Sequence, residues 1–274
     1  MVTSLLRTKM NQGRPTVGAI VGLPSPAVIE YVAAAGFDFA VIDTEHGAIS
    51  PETIEHMIRA GHAFGLDLIV RVGANDRAPI QVALDAGAAG VQVPMIETRE
   101  QAERAVRFAR YAPSGSRGLA GNRGAGFAPM NAELMAKAND SVVVIAQIET
   151  VAGKSVASDI ATVPGLDVVF VGPTDLSQSM GLPGAIESPE VNRAIDEIAD
   201  ATRAHVILGT LARSPHSAES FLDRGFSMIQ VAASSLIIRA FRDYVEPLRG
   251  WGSSSVGAAS PADASATLDR LDAY

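Results

Sequence analysis

Short apolar runs alternate with longer amphipathic stretches along most of the chain. Eight runs read as strands, over 16–22, 37–42, 66–72, 90–94, 142–148, 166–171, 205–208 and 226–231. Most are nearly continuous in Val and Ile, as in Val142–Ile148. Such runs predict strands covered on both faces, the signature of a parallel sheet. Between them the spacing predicts helices over 25–35, 51–64, 77–86, 99–110, 189–203, 215–224 and 235–248. Ser25-Pro26 and Ser50-Pro51 each offer an N-cap followed by Pro at the first helical position. Gly36, Gly65, Gly87 and Gly225 follow four of the helices, where a left-handed stop is expected.

This alternation predicts an α/β protein, a (β/α)8 TIM barrel, over residues 1–250 as a single catalytic domain. The competing architecture is an open doubly wound sheet. Its first turn favours G-x-G-x-x-G, whereas Gly22-Leu23-Pro24-Ser25 stands here. Two segments break the alternation. Residues 112–128 form a long Gly-rich loop with two Arg, of the kind that serves as a lid or interface arm. Residues 251–274 are a Ser/Ala-rich tail, expected to be partly disordered or a short helix after Ser260-Pro261.

Composition narrows the function. The 274-residue chain has 22 Lys plus Arg against 30 Asp plus Glu, a net charge of −8, which speaks against nucleic acid as a partner. No Cys is present, so disulfides, thiolate nucleophiles and Cys-ligated metals drop out. No stretch approaches the roughly 18 apolar residues of a membrane helix, and the first residues do not form a signal peptide, so no membrane partner and a cytoplasmic location are expected. Only three of the 22 basic residues are Lys: Lys9, Lys137 and Lys154. None ends a strand, which disfavours Schiff-base chemistry at a barrel mouth. No phosphate-cradling G-x-x-x-x-G-K-[ST] loop occurs either, so no nucleotide cofactor is expected.

Barrel chemistry gathers at the carboxyl ends of the strands. Asp43-Thr44-Glu45-His46 follows the second strand and Arg71 ends the third. Gln147 and Glu149 end the fifth, and Gly172-Pro173-Thr174-Asp175 follows the sixth. Glu149 and Asp175, on neighbouring strand ends, are the candidate ligands of a hard divalent ion, Mg²⁺ or Mn²⁺. Period-two geometry aims Gln147 and Glu149 at the same face. Thr174 or Asp175 can cap a helix beginning near Leu176, leaving N–H groups for a carboxylate or phosphate. His46 is the His of the five at a strand's carboxyl end, so it is the candidate general base. Arg71 requires an anionic partner, either a ligand or a protein carboxylate, and its surroundings favour a ligand. Barrel-rim salt bridges and ordinary capped turns are the competing readings for each residue taken alone.

In combination these blocks resemble the HpcH/HpaI aldolases, the class II metal-dependent pyruvate aldolases. The resemblance rests on Gly36-Phe37-Asp38, Ile42-Asp43-Thr44-Glu45-His46, Arg71 with Asn75-Asp76, and Val93-Pro94-Met95. It continues through Arg117-Gly118, Ala138-Asn139-Asp140, Gln147-Ile148-Glu149-Thr150 and Val171–Ser177 before Met180-Gly181, spanning about residues 10–248. It implies a barrel of the phosphoenolpyruvate/pyruvate-domain type whose last helix is swapped between subunits, and a homohexamer built as a trimer of dimers. It implies a divalent metal on Glu149 and Asp175, with Co²⁺ a further candidate ion. Arg71, Gln147 and the Gly172, Pro173, Thr174 and Asp175 turn would hold the 2-oxo acid, and Arg71 would also stabilise the enolate. His46 would accept the proton, helped by an acid at Asp85. Spacing alone points instead to Asp43 as helper, and both stay open. The implied reaction is reversible aldol cleavage of a 4-hydroxy-2-oxo acid into pyruvate, or a related 2-oxo acid, and an aldehyde. Residues 118–128 depart most from the family; that Gly-rich stretch and the 211–214 loop would shape the aldehyde side. The competing functions are a CoA-ester lyase of the citrate-lyase-β or malyl-CoA type, and a non-catalytic oxo-acid-binding barrel.

Overall fold

The computed structural model describes residues 4–249. The 251–274 tail lies outside the described residues. Eight strands close into one parallel barrel in chain order, with β8 returning to β1. They are β1 (Thr16–Val21), β2 (Phe39–Asp43), β3 (Asp67–Arg71), β4 (Gly90–Val93), β5 (Val143–Ile148), β6 (Val168–Val171), β7 (Ile207–Leu211) and β8 (Met228–Ala232). The helices are α1 (Leu5–Asn11), α2 (Pro26–Ala34), α3 (Pro51–Ala63), α4 (Arg77–Asp85), α5 (Arg99–Ala109) and α6 (Ala132–Ser141). They continue as α7 (Val151–Ser155), α8 (Ala157–Ala161), α9 (Pro173–Ser179), α10 (Pro189–Thr202), α11 (Pro215–Asp223) and α12 (Ala233–Val245).

The caps follow the sequence logic with one exception. The Ser50 hydroxyl accepts from Thr53 N–H at 3.2 Å, whereas the Ser25 side chain makes no capping bond. All four stop glycines adopt the left-handed conformation, with φ from +69° to +101°. The seventh strand runs further than its apolar run suggested. Gly209 and Thr210 follow the 205–208 run, yet both lie inside β7. Thr210 satisfies its buried hydroxyl on the Val171 carbonyl (3.1 Å), and a Cβ at Gly209 would press on the Phe170 ring at 2.8 Å.

Apolar side chains fill two layers. One lies between the sheet and the helices; the other fills the barrel itself, with Ile20, Phe39, Val41, Ile69, Ile145 and Phe170 among its members. Each such side chain withdrawn from water contributes about 1.5–3 kcal/mol. Gly18 leaves room for the Phe39 ring, which a side chain there would strike. Helix α1 closes the amino-terminal end of the barrel with Leu6 and Met10. It is anchored by Asp67, which accepts from Leu6 N–H at 2.7 Å and the Ser4 hydroxyl at 3.0 Å.

Polarity changes along the barrel axis. Above the apolar layers come three buried amides, Gln92, Gln147 and Gln230, and then Asp43, Arg71 and Glu149 at the carboxyl rim. A plugged floor and a polar mouth restrict chemistry to one end of the barrel.

Candidate active site

The register of β2 on β3 sets Asp43 beside Arg71. Arg71 donates through Nε to Asp43 Oδ1 (2.9 Å) and through Nη2 to Oδ2 (2.7 Å), a two-pronged pair that fixes the guanidinium plane. Its Nη1 lies 3.3 Å from Glu45 Oε2. Asp43 Oδ1 also accepts from the N–H groups of Glu45 (3.1 Å) and His46 (3.3 Å), so the loop after β2 is folded onto this carboxylate. Burial raises the Asp43 pKa, but the Arg71 bonds and charge and the two loop N–H groups outweigh it, leaving Asp43 below its usual range. Protein carboxylates, Asp43 and Glu45, are thus partners of Arg71, one of the two kinds of anionic partner that the sequence left open.

Glu45 is the site residue that sequence reasoning passed over. Burial raises its pKa, Arg71 opposes, and the charges of Asp43 and Asp175 add to the rise. Its Oε2 stands 3.9 Å from His46 Nε2, and no other carboxylate pairs with that ring among the described residues. The His46 side chain is 64% exposed, as a group meeting substrate at the rim must be. The two proposed acid helpers lie elsewhere. Asp43 meets only the His46 backbone. Asp85 closes α4, which runs back from the carboxyl rim, and its Oδ1 accepts from Arg117 Nη2 at 2.8 Å. With Glu55, Gln81, Asn122 and Phe127 it lines a groove on the outer flank. Within one chain Asp85 and His46 are therefore not brought together.

Glu149, just past β5, is buried at 2% exposure. Its Oε1 accepts from Met95 N–H at 2.8 Å and its Oε2 from Gln147 Nε2 at 2.7 Å, so Gln147 and Glu149 do share a face. Met95 takes φ +54°, a strained conformation for a side-chain-bearing residue, which aims its N–H at the carboxylate. Burial, with the charges of Asp175 and Glu45 and against the Met95 and Gln147 donors, pushes the Glu149 pKa up to about 7.

Helix α9 differs from expectation. It begins at Pro173 with Gly172 as N-cap, and neither Thr174 nor Asp175 caps it. Pro173 presets the first helical turn, drawing the start upstream of Leu176. Thr174 and Asp175 instead occupy the first turn, beside Glu149 through Gly172. A Cβ on Gly172 would meet Glu149 Oε2 at 2.5 Å. The Gly172 φ of −93° suits any residue, so this glycine is required by space alone. Gly172→Ala is therefore expected to displace the carboxylate and lower kcat/KM on the order of 10²-fold. Circular dichroism should show an intact fold; an Ala variant of full activity would refute this role.

The mouth thus holds four carboxyl groups, Asp43, Glu45, Glu149 and Asp175, around one guanidinium. Such an excess of hard oxygen donors fits a divalent cation. Among the described residues no three such side chains are grouped so as to hold an ion by themselves. Glu149 and Asp175 would form a two-carboxylate site that leaves coordination positions for substrate and water, as suits Mg²⁺ or Mn²⁺. The three Lys are committed elsewhere, Lys9 to Asp38, Lys137 to Glu133 and Lys154 to Glu197.

A model of the family described as "HpcH/HpaI aldolase/citrate lyase" matches residues 18–240. The chain belongs to this family. A hydroxypyruvate/pyruvate aldolase of Sagittula stellata is 33% identical, covering 85% of this chain and 92% of its own. A 4-hydroxy-2-oxo-heptane-1,7-dioate aldolase of Shigella sonnei is 34% identical, covering 85% and 89%. Among solved structures, that of the citrate synthase SbnG superposes with a TM-score of 0.84 at 34% identity, covering 91% of this chain and 99% of that one. The protein is an enzyme of the pyruvate-aldolase type, a carbon–carbon lyase on a (β/α)8 barrel.

Proposed function

We propose that the protein reversibly cleaves a 4-hydroxy-2-oxo acid to pyruvate, or a related 2-oxo acid, and an aldehyde, with Glu149 and Asp175 holding Mg²⁺ or Mn²⁺. The observation that carries this reading is the buried Glu149 carboxylate set among further acids and a single Arg, with an exposed His at the same rim. The aldolase names of the relatives support the substrate class.

A divalent ion supplies Lewis acidity to the oxo-acid oxygens. Arg71, held planar by Asp43, presents fixed positive charge to the oxygen that becomes anionic. Gln147 and the backbone at Thr174 orient the carboxylate end of the substrate. His46 takes the proton from the C4 hydroxyl. The C3–C4 bond breaks, its electron pair enters the enolate, and the C4 fragment leaves as the aldehyde. The proton then returns to C3 of the enolate, giving pyruvate. Glu45, whose Oε2 stands 3.9 Å from His46 Nε2, is the carboxylate placed to orient the ring.

The decisive experiment measures 2-oxo acid release from a panel of 4-hydroxy-2-oxo acids before and after EDTA treatment. Activity should vanish with chelator and return with Mn²⁺ or Mg²⁺; cleavage indifferent to EDTA overturns the metal reading. His46→Asn should lower kcat on the order of 10²-fold with little change in KM for the oxo acid. An unchanged kcat removes His46 from the mechanism.

The same reading includes a cytoplasmic homohexamer with the last helix exchanged between subunits. Helix α12 and the turn after it leave Phe241, Tyr244, Val245 and Leu248 exposed, an apolar face suited to a neighbouring copy. Light scattering after gel filtration tests the assembly, and a monomer overturns it. No helix among the described residues is long and apolar enough to cross a membrane.

A further inference from the structure

Three glutamines cross the barrel interior as one hydrogen-bonded line. Gln230 on β8 donates through Nε2 to Gln92 Oε1 on β4 at 2.8 Å. Gln92 donates through Nε2 to Gln147 Oε1 on β5 at 2.5 Å. Gln147 donates to Glu149 Oε2 at 2.7 Å. All three amides are at most 1% exposed. They occupy the layer between the apolar filling and the acidic mouth, a place that bulky aliphatic side chains fill in most barrels.

The line has a direction, and Glu149 sets it. In the ionised form that receives a cation, the Glu149 carboxylate only accepts, so Gln147 turns its NH2 toward Glu149 and its oxygen toward Gln92. That oxygen requires the NH2 of Gln92, whose own oxygen then requires a donor from the opposite wall. Gln230 supplies it, leaving its own Oε1 without a protein partner. A reversed amide at any point would set donor against donor or acceptor against acceptor, costing far more in a dry interior than at a surface. The chain accepts one orphan oxygen at the far end and keeps every bond near Glu149 intact.

The geometry points to Gln92 and Gln230 as positioning residues that lock the Gln147 amide, and through it the Glu149 carboxylate, in the orientation that receives a divalent cation. This rests on the metal reading of Glu149 given above. Their influence runs through Gln147, so it must disappear when Gln147 can no longer transmit it.

The test titrates Mn²⁺ into metal-free protein by calorimetry, for the parent chain and for Gln92→Met, Gln230→Met, Gln147→Met and the Gln92→Met/Gln147→Met double variant. Met keeps the volume and removes the hydrogen bonds. Gln92→Met should weaken Mn²⁺ binding on the order of tenfold, and Gln230→Met less, in the same direction. The Gln92→Met effect should vanish in the Gln147→Met background. Thermal melts report folding separately. A parent chain that binds no Mn²⁺ overturns the metal reading, and the relay with it. If the parent binds but Gln92→Met binds equally well, the relay alone fails. It fails too if the Gln92→Met loss is the same size with and without Gln147.

Discussion

Glu149→Gln should abolish aldol cleavage, by about 10³-fold or more in kcat/KM, while leaving the protein folded. The size follows from what is removed. Lewis-acid stabilisation of an oxyanion is worth several kcal/mol, and about 4 kcal/mol corresponds to 10³ in rate. Gln keeps the shape of Glu but not its charge, and Asp175 alone makes a poor site for a divalent ion. The folding balance is closer to even. The new amide must set its NH2 against either Met95 N–H or Gln147 Nε2, since donors flank both carboxylate oxygens. One such opposition costs about 1–3 kcal/mol. Against it, the variant no longer holds a charge in a site whose burial disfavours charge strongly. The expected result is a melting temperature near that of the parent, no Mn²⁺ binding and no turnover. Metal-dependent cleavage at the parent rate would remove Glu149 from the metal site.

The barrel was legible because its rules are local. Continuous Val and Ile runs, Ser-Pro starts and Gly stops act within a few residues, and they located all eight strands. The miss at β7 has the same origin read the other way. Gly209 and Thr210 break the apolar run, and the Phe170 ring and the Val171 carbonyl across the sheet explain them. Site residues that terminate strands, such as Arg71 and Glu149, were visible because the strand ends were.

What stayed hidden depends on pairing across the barrel. Nothing near Gln92 in sequence hints that it meets Gln147 and Gln230, and Gln230 is 138 residues away. Glu45 stood in plain view beside His46, but Asp43 was the more orthodox choice. The structure separates them by demand: Asp43 is consumed by Arg71 and two backbone donors, which leaves Glu45 facing the imidazole. Asp85 poses the converse problem. It lies away from His46 within the chain, so a role for it in catalysis would require a second copy to bring the two together.

Arg71→Met should both inactivate and destabilise the protein, with a pH dependence that identifies the cause. Arg71 is 12% exposed and carries the opposing charge for Asp43 and Glu45, themselves 7% and 18% exposed. Removing one partner of such a pair typically costs about 3–5 kcal/mol, because the other charge stays buried. In the parent, Asp43 is held below its ordinary value of 3.8. Its contribution is therefore present above that pH and lost as pH falls through the folded-state value. In the variant the Arg71 bonds and charge are gone, while burial, the largest influence, remains against the two loop N–H donors. Asp43 should then titrate above its unfolded value, and Glu45, already raised, should rise further. A native state that binds protons more readily than the unfolded chain gains stability as pH falls. The gap between variant and parent should thus be widest near pH 7 and shrink toward about pH 4–5, as measured by urea unfolding. Parallel stability curves would show that Arg71 contributes packing alone. Arg71→Lys should recover part of the stability, since it restores charge, but little activity, since a point charge cannot reproduce the planar two-pronged hold on Asp43.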